Sequence, residues 1–169
     1  GAVFTLARFS EAFLVLRVQQ GGLALAWTPL VLVAMNVVYA LGAYPLGWLA
    51  DRVSHERLLL AGLGLLVAAD LALAHSASGP IAWAGIALWG AHLAATQGLL
   101  AAMLAHTAPP DLRGTAHGFF NLASGGAMLV ASVLAGWLWD RHGASASFIA
   151  GAVLAGVAGV GLLLRRPAA

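Results

Sequence analysis

The stretch GWLADRVSHER, residues 47–57, is the only place in the chain where four charged residues fall within seven positions. Long apolar runs lie on both sides of it. A hydrated, charged segment between two hydrophobic segments predicts a short loop that joins two membrane-spanning helices. The interpretation of the whole chain depends on what this loop joins.

The composition places most of the chain in a lipid bilayer. Of the 169 residues, 62% are hydrophobic and only 8% are charged, and the mean hydropathy is +0.92. Four uncharged intervals, 18–50, 71–110, 114–139 and 142–164, each exceed the roughly 20 residues that cross a hydrocarbon core. These runs are continuously apolar, with no alternation at period two, which favours helices over a β-barrel. We expect an all-α, polytopic membrane protein.

Turn signals divide the chain into six predicted transmembrane helices, at about 1–17, 23–50, 58–74, 81–104, 114–139 and 147–164. Alternate connections then carry unequal numbers of arginines: Arg52, Arg57, Arg113, Arg165 and Arg166 on one side, Arg17 and Arg141 on the other. The arginine-rich side faces the cytoplasm by the positive-inside rule, which predicts a cytoplasmic loop 51–57 and C-terminus. We expect the membrane to be a bacterial inner membrane. The short first segment lacks an initiator Met, so we expect a fragment of a longer protein.

An internal repeat supports the six-helix count. The sequence GWLADR at 47–52 returns as GWLWDR at 136–141, each time at the predicted exit of a helix. Three helices separate the two copies, and an odd number of crossings inverts the second copy. We therefore expect a bundle of two inverted three-helix repeats, an arrangement found in secondary transporters.

Several classes of function are excluded or disfavoured by composition. The chain has no Cys, which excludes disulfides and thiolate metal sites. The net charge of +2 is small and scattered, so no nucleic-acid partner is expected. There is no Lys and no phosphate-binding loop, so we expect no cofactor and a gradient as the energy source.

At 47–57 the sequence resembles the signature loop of the major facilitator superfamily, Gly-x-x-x-Asp-Arg/Lys-x-Gly-Arg-Lys/Arg. The matching positions are Gly47, Asp51, Arg52 and, with a small offset, Arg57. Ser54 replaces the second Gly, and His55 and Glu56 replace basic residues, as in the weaker copy between the family's eighth and ninth helices. Residues 113–121 and 135–140 also resemble the family's tenth-to-eleventh loop and eleventh helix.

The resemblance implies the C-terminal half of such a transporter, helices seven to twelve, with the N-terminal six-helix half as its partner. The fourth helix of a first half usually carries an Arg three residues before a Gln-Gly pair, but Ala94 precedes Gln97 and Gly98 here. The family also implies that the signature loop is a latch that opens during the transport cycle. From the residues alone, a hydrated turn that sets topology is an equal alternative.

Arg8 and Glu11 are candidate coupling residues in the first segment. A spacing of three places them on one face of a helix, and an ionisable pair within a membrane is costly unless it faces a polar interior. Glu11 is then a candidate site for a proton or a cationic substrate, with Arg8 as its partner. The alternative is a purely structural pair.

Further candidates for the cavity are Asn36 and Tyr39 in the second segment, His92 in the fourth and Asn121 in the fifth. Each is equally compatible with a hydrogen bond between helices. Asp70 is expected to reach the membrane interface. Two series of small residues predict close helix packing: Gly90, Ala94, Gly98 and Ala102, and Gly151, Ala155 and Gly159.

The function predicted from these observations is secondary active transport of a small solute by alternating access, coupled to protons or another ion. A six-helix scaffold or assembly subunit without transport activity is the main alternative. An intramembrane enzyme using His92, His106 or His117 is disfavoured, because these residues lack metal-ligand spacing and no nucleophile motif is present. We predict that the protein is not an enzyme.

Overall fold

The computed structural model describes residues 9–107 and 109–164, and every regular element in these ranges is helical. The α-helices are α1 (Ala12–Gln20), α2 (Pro29–Ala50), α3 (His55–His75), α4 (Gly79–Thr107), α5 (Arg113–His142) and α6 (Ala144–Leu163). Short 3₁₀ turns at Leu25–Trp27 and Pro110–Leu112 precede α2 and α5. Within the described residues, five helices are long and apolar enough to cross a membrane, which fits the predicted polytopic helical class.

The charged loop is shorter than the predicted range 51–57. The chain leaves α2 at Ala50, and α3 already begins at His55, so residues 55–57 form the first turn of that helix. The junction between α5 and α6 is shorter still, because Gly143 alone separates them with a φ of +85°. A positive φ of this size is readily adopted only by glycine. The short junction at Gly143 keeps α5 and α6 in contact, whereas α2 and α3 on either side of the charged loop both pack against α4.

The first predicted segment differs from the expectation of a helix over 1–17. Its first eight residues lie outside the described ranges, and Phe9 and Ser10 are not helical, so α1 begins only at Ala12. The Ser10 backbone N–H donates to Ser132 Oγ on α5 at 3.1 Å, and the Ser10 hydroxyl accepts from the Ala12 N–H. These bonds satisfy polar groups where the helical ladder is missing. Arg8 lies outside the described residues, so its placement on one helical face with Glu11 stays a prediction.

The long helices contact each other in the order α2, α4, α3, α6, α5, with α3 in the middle of the row. Glycines permit the close approaches within this row. A Cβ at Gly90 of α4 would collide with the Met35 carbonyl of α2, and one at Gly62 of α3 would collide with Thr96 of α4. In lipid, helices associate through close contact between small residues, because lipid tails are as apolar as the side chains and no hydrophobic effect drives the helices together. The small-residue prediction is confirmed at Gly90 but not at Gly98, whose Cβ position is open.

Aromatic side chains fill the space between α1 and the row. Phe9 is 3% exposed and lies with its ring centroid 5.4 Å from both Trp89 of α4 and Phe148 of α6. Phe13 of α1 contacts Phe9 and reaches Trp139 of α5, at 5.2 and 5.6 Å. Tilted and edge-to-face pairs at these distances are favourable beyond the area they bury. This aromatic cluster attaches the short α1 to the three helices α4, α5 and α6.

Candidate functional site

A cavity of about 450 Å³ lies between α2 and α4 next to the charged loop. Its polar lining includes Tyr39 of α2, Asp51 of the loop and His55 at the start of α3. Gly47 and Gly98 add backbone rather than side chains to the wall. The structure thus brings together three of the predicted residues, Tyr39, Gly47 and Asp51, in one opening.

In the signature loop, arginine contacts an aromatic ring and forms no ion pair within the described residues. Arg52 lies over the Trp48 ring, with its guanidinium carbon 3.6 Å from the ring centroid. Asp51 is exposed at the C-terminal end of α2, and within the described residues its carboxylate forms no ion pair or hydrogen bond. Arg57 is exposed in the first turn of α3. Arg52 thus contacts the Trp48 ring rather than the neighbouring Asp51 carboxylate.

The second copy of the repeat has the same local geometry. Arg141 lies over the Trp137 ring at 5.4 Å, again four residues apart at the end of a long helix. A spacing of four brings two side chains together on a helix surface, and an exposed guanidinium–aromatic contact contributes about 0.5–1 kcal/mol. Each copy of the repeat therefore produces an arginine stacked on tryptophan where a helix leaves the apolar layer.

His92 is fully buried between α3 and α4 and does not line the cavity. Its Nδ1 lies 2.7 Å from the Gly62 carbonyl oxygen, so in the tautomer that carries the proton on Nδ1 this nitrogen donates to the carbonyl. Thr96 donates its hydroxyl to the His92 carbonyl one turn back in the same helix, at 2.8 Å. In this structure His92 makes the interhelical hydrogen bond that the sequence left open as its alternative role.

The remaining predicted residues lie apart from the cavity. Asn36 and Asn121 are exposed on α2 and α5, and Asn36 Nδ2 donates to the Leu32 carbonyl at 2.8 Å within its own helix. Glu11 is half-buried at the N-terminal end of α1 and makes no capping bond there. Arg8 lies outside the described residues, so its pairing with Glu11 stays a prediction.

Arg17 has a structural role that the sequence did not reveal. Its Nε donates to the Leu73 carbonyl at 2.7 Å, and Nη2 donates to the Ala74 carbonyl at 3.0 Å and to Ser145 Oγ at 3.3 Å. Ser145 Oγ itself donates to the Ala74 carbonyl at 2.7 Å. A cation at the C-terminal end of a helix satisfies the last carbonyls and the helix dipole together. The ends of α1 and α3 and the start of α6 are thereby fixed on one side of the bundle.

Asp70 also differs from its expectation. The sequence predicts that it reaches the interface, yet its side chain is 0% exposed among α3, α6 and Phe9. That prediction is wrong because α3 is the central helix of the row and has neighbours on both sides. No sequence signal distinguishes such an interior position, since α3 is apolar around its whole circumference.

Comparison with known proteins decides the family. The sequence model of the Major Facilitator Superfamily matches residues 12–169. The chain belongs to this superfamily. As a superfamily member with five apolar, membrane-length helices in its described part, it is an integral membrane protein, in agreement with its composition.

One relative in the superfamily is an uncharacterized MFS-type transporter of Methanocaldococcus jannaschii, which is 30% identical over 168 residues. The match covers 96% of this chain but only 42% of the relative, so the chain spans less than half of that protein's length. No solved structure gives a significant match.

Within the described residues, no three His, Asp or Glu side chains are grouped so that they could hold a metal ion. The polar groups around the superfamily signature loop are instead dispersed along one opening.

Proposed function

We propose that this chain is the C-terminal six-helix half of a secondary active transporter, which moves a small solute across the plasma membrane by alternating access. The observation that supports it most directly is the superfamily match over 12–169, together with a relative of which the chain covers 42%. In this proposal the rest of the native protein supplies the N-terminal half, and a proton or another ion drives transport.

The exposure of α2 and α5 supports a missing partner. The spans at Leu25–Ala50 and Arg113–His142 are each only 11% buried, whereas that of α3 is 44% buried. The exposed residues Asn36 and Asn121 lie on these two helices. Amide groups are costly where they face lipid, but they are satisfied where they face a second bundle or a hydrated cavity. We therefore assign these faces to the boundary with the N-terminal half.

We assign the latch function to Gly47, Asp51, Arg52 and Arg57. The Asp51 carboxylate has no ionic partner in the described residues, and Arg52 and Arg57 are exposed beside it. An exposed, unpaired carboxylate at the mouth of a cavity is available to a basic group from the N-terminal half in another state of the cycle. Breaking the Arg52–Trp48 stack costs only about 0.5–1 kcal/mol, which is small enough for a reversible step.

Flux measurements on the full-length protein test the proposal. Liposomes containing the protein and an internal pH-sensitive dye are given a panel of solutes while a pH gradient is imposed. We expect at least one solute to change the internal pH, and we expect Glu11→Gln to abolish that change. Asp111→Asn is the control, because Asp111 is exposed in the turn before α5 and should leave the flux unaltered.

The same measurement separates the transporter from the scaffold alternative. If no solute moves protons or accumulates in liposomes that contain folded protein, and Glu11→Gln has no effect, the chain belongs to a scaffold. If a solute accumulates without any pH change, the transport proposal holds and the proposal of proton coupling is wrong.

A further inference from the structure

Asp70 is a carboxylate enclosed by apolar groups within a membrane-spanning helix. It lies in α3, five residues before the end of the helix at His75, and its side chain is 0% exposed. Neither carboxylate oxygen finds a hydrogen-bond partner in the part of the chain that the structure describes. Buried polar groups are nearly always paired, so an exception of this kind calls for an explanation.

The cover over Asp70 consists of Gly151 of α6 and the ring of Phe9. A Cβ built on Gly151 would lie 2.6 Å from Asp70 Oδ2 and 2.8 Å from Phe9 Cε1. Only glycine at this position leaves room for both side chains. Phe9 belongs to the non-helical residues before α1, so the cover includes a residue outside the regular helices.

No described cation compensates Asp70. On α1, Arg17 is directed to the carbonyls at the end of α3, and Glu11 is acidic. On α4, the titratable side chain of His92 is directed to the Gly62 carbonyl. Helix α6 has no titratable residue between Ala144 and Leu163. On α3 itself, His75 is exposed, and the other charged residues lie at the opposite end.

Burying an ionised carboxylate without a partner costs several kcal/mol, even after relaxation of the surroundings. The neutral carboxylic acid avoids most of this cost. Asp70 makes no hydrogen bond that would explain it as a structural residue, and an apolar residue would fill the same space more favourably. What the acid can do here, and an apolar residue cannot, is to bind and release a proton.

We propose that Asp70 is a proton-binding site, occupied by a proton in this conformation and closed by Phe9 and Gly151. Displacement of the Phe9 segment exposes the acid to water, the O–H bond breaks, and the proton leaves a carboxylate behind. The indole N–H of Trp89 is also buried without a partner in the described residues, and its ring contacts that of Phe9. The inference deepens the proposed proton-coupled transport and rests on it for its role in the cycle.

Infrared spectroscopy of the full-length protein in liposomes tests the site without any solute. A protonated carboxylic acid has a C=O stretching band that carboxylates lack. We expect this band at neutral pH in the wild type and in Asp111→Asn, and its loss in Asp70→Asn, which is neutral and nearly isosteric. Asp70→Glu keeps an acid, so there the band should shift rather than vanish.

The closed state is tested by the same band in D₂O, where proton exchange shifts its frequency. We expect slow exchange in the wild type and several-fold faster exchange in Phe9→Ala, which removes the cover. A wild type without the band at neutral pH, or a band that persists in Asp70→Asn, overturns the proposal. An exchange rate that Phe9→Ala does not change overturns the role of Phe9.

The two proposals fail in different ways. If the band behaves as expected but no solute produces flux, Asp70 binds a proton and the transport proposal is wrong. If solute-driven pH changes persist in Asp70→Asn and the wild type lacks the band, transport stands and another group carries the proton.

Discussion

Replacing Gly90 by alanine tests how closely α2 and α4 approach. A Cβ at Gly90 would collide with the Met35 carbonyl and lie 3.1 Å from Val38 Cβ, whereas a Cβ at Gly98 in the same helix meets nothing within 4 Å. Alanine improves helix propensity by about 0.8–1.0 kcal/mol at either site. Overpacking against rigid backbone costs about 1–3 kcal/mol, and this cost applies to Gly90 alone. Gly98→Ala should therefore be neutral or stabilising, and Gly90→Ala should be less stable than it by the overpacking cost.

The assay is the thermal unfolding midpoint of the full-length protein in one detergent, measured side by side for both variants. A difference of 1 kcal/mol shifts the midpoint by roughly 2–4 °C in a chain of 150–250 residues, and by less in a longer one. We expect Gly98→Ala at or above the wild-type midpoint and Gly90→Ala below it. Equal midpoints, or a higher one for Gly90→Ala, would refute the close approach of α2 and α4.

Arg17→Ala should lower the same midpoint more than Arg141→Ala, because Arg17 donates three hydrogen bonds to α3 and α6, each worth about 1.5–3 kcal/mol for a charged donor, and Arg141 makes an exposed ring contact. Similar losses in both variants would contradict the helix-end role of Arg17. Ser147→Ala removes a 2.7 Å bond from its hydroxyl to a carbonyl of α5 and should cost about 0.6 kcal/mol, the average for such bonds in membranes; an unchanged midpoint would contradict a net contribution of this bond to stability. In this chain without Cys, Ser54→Cys should react with an impermeant maleimide from the cytoplasmic side and Ser78→Cys from the other side, and the reverse pattern would invert the orientation given by the arginine count.

Helix positions were largely predictable because lipid imposes a simple rule on sequence. A spanning segment must satisfy its own backbone and be apolar for about 20 residues, so composition marks α2 to α6 to within a few residues. The first segment departs from this rule. Phe9 and Ser10 are not helical, and Ser132 of α5 accepts the hydrogen bond of the Ser10 backbone N–H. That partner lies 122 positions away, so no local pattern could indicate it.

The site was predictable only in part. The charged loop followed from a motif that is contiguous in sequence, but the cavity beside it, where Tyr39, Gly47 and Asp51 meet, did not. The roles of His92 and Arg17 depend on carbonyl groups in other helices. Every residue has a backbone carbonyl, so neither composition nor periodicity indicates which carbonyl a distant side chain will contact.

By itself the sequence determined that the chain lies in a membrane, where its helices lie and which loop bears the superfamily signature. The charged stretch 47–57 and the apolar runs around it suffice for that, since transfer between water and lipid depends on local composition. Only the tertiary structure decided which helix is central and which polar residues are enclosed. Asp70 and Asp51 are the same amino acid near the ends of two apolar helices, yet one is 0% exposed and the other faces solvent. The difference arises from the order in which the helices pack, which is set by contacts between residues far apart in the chain.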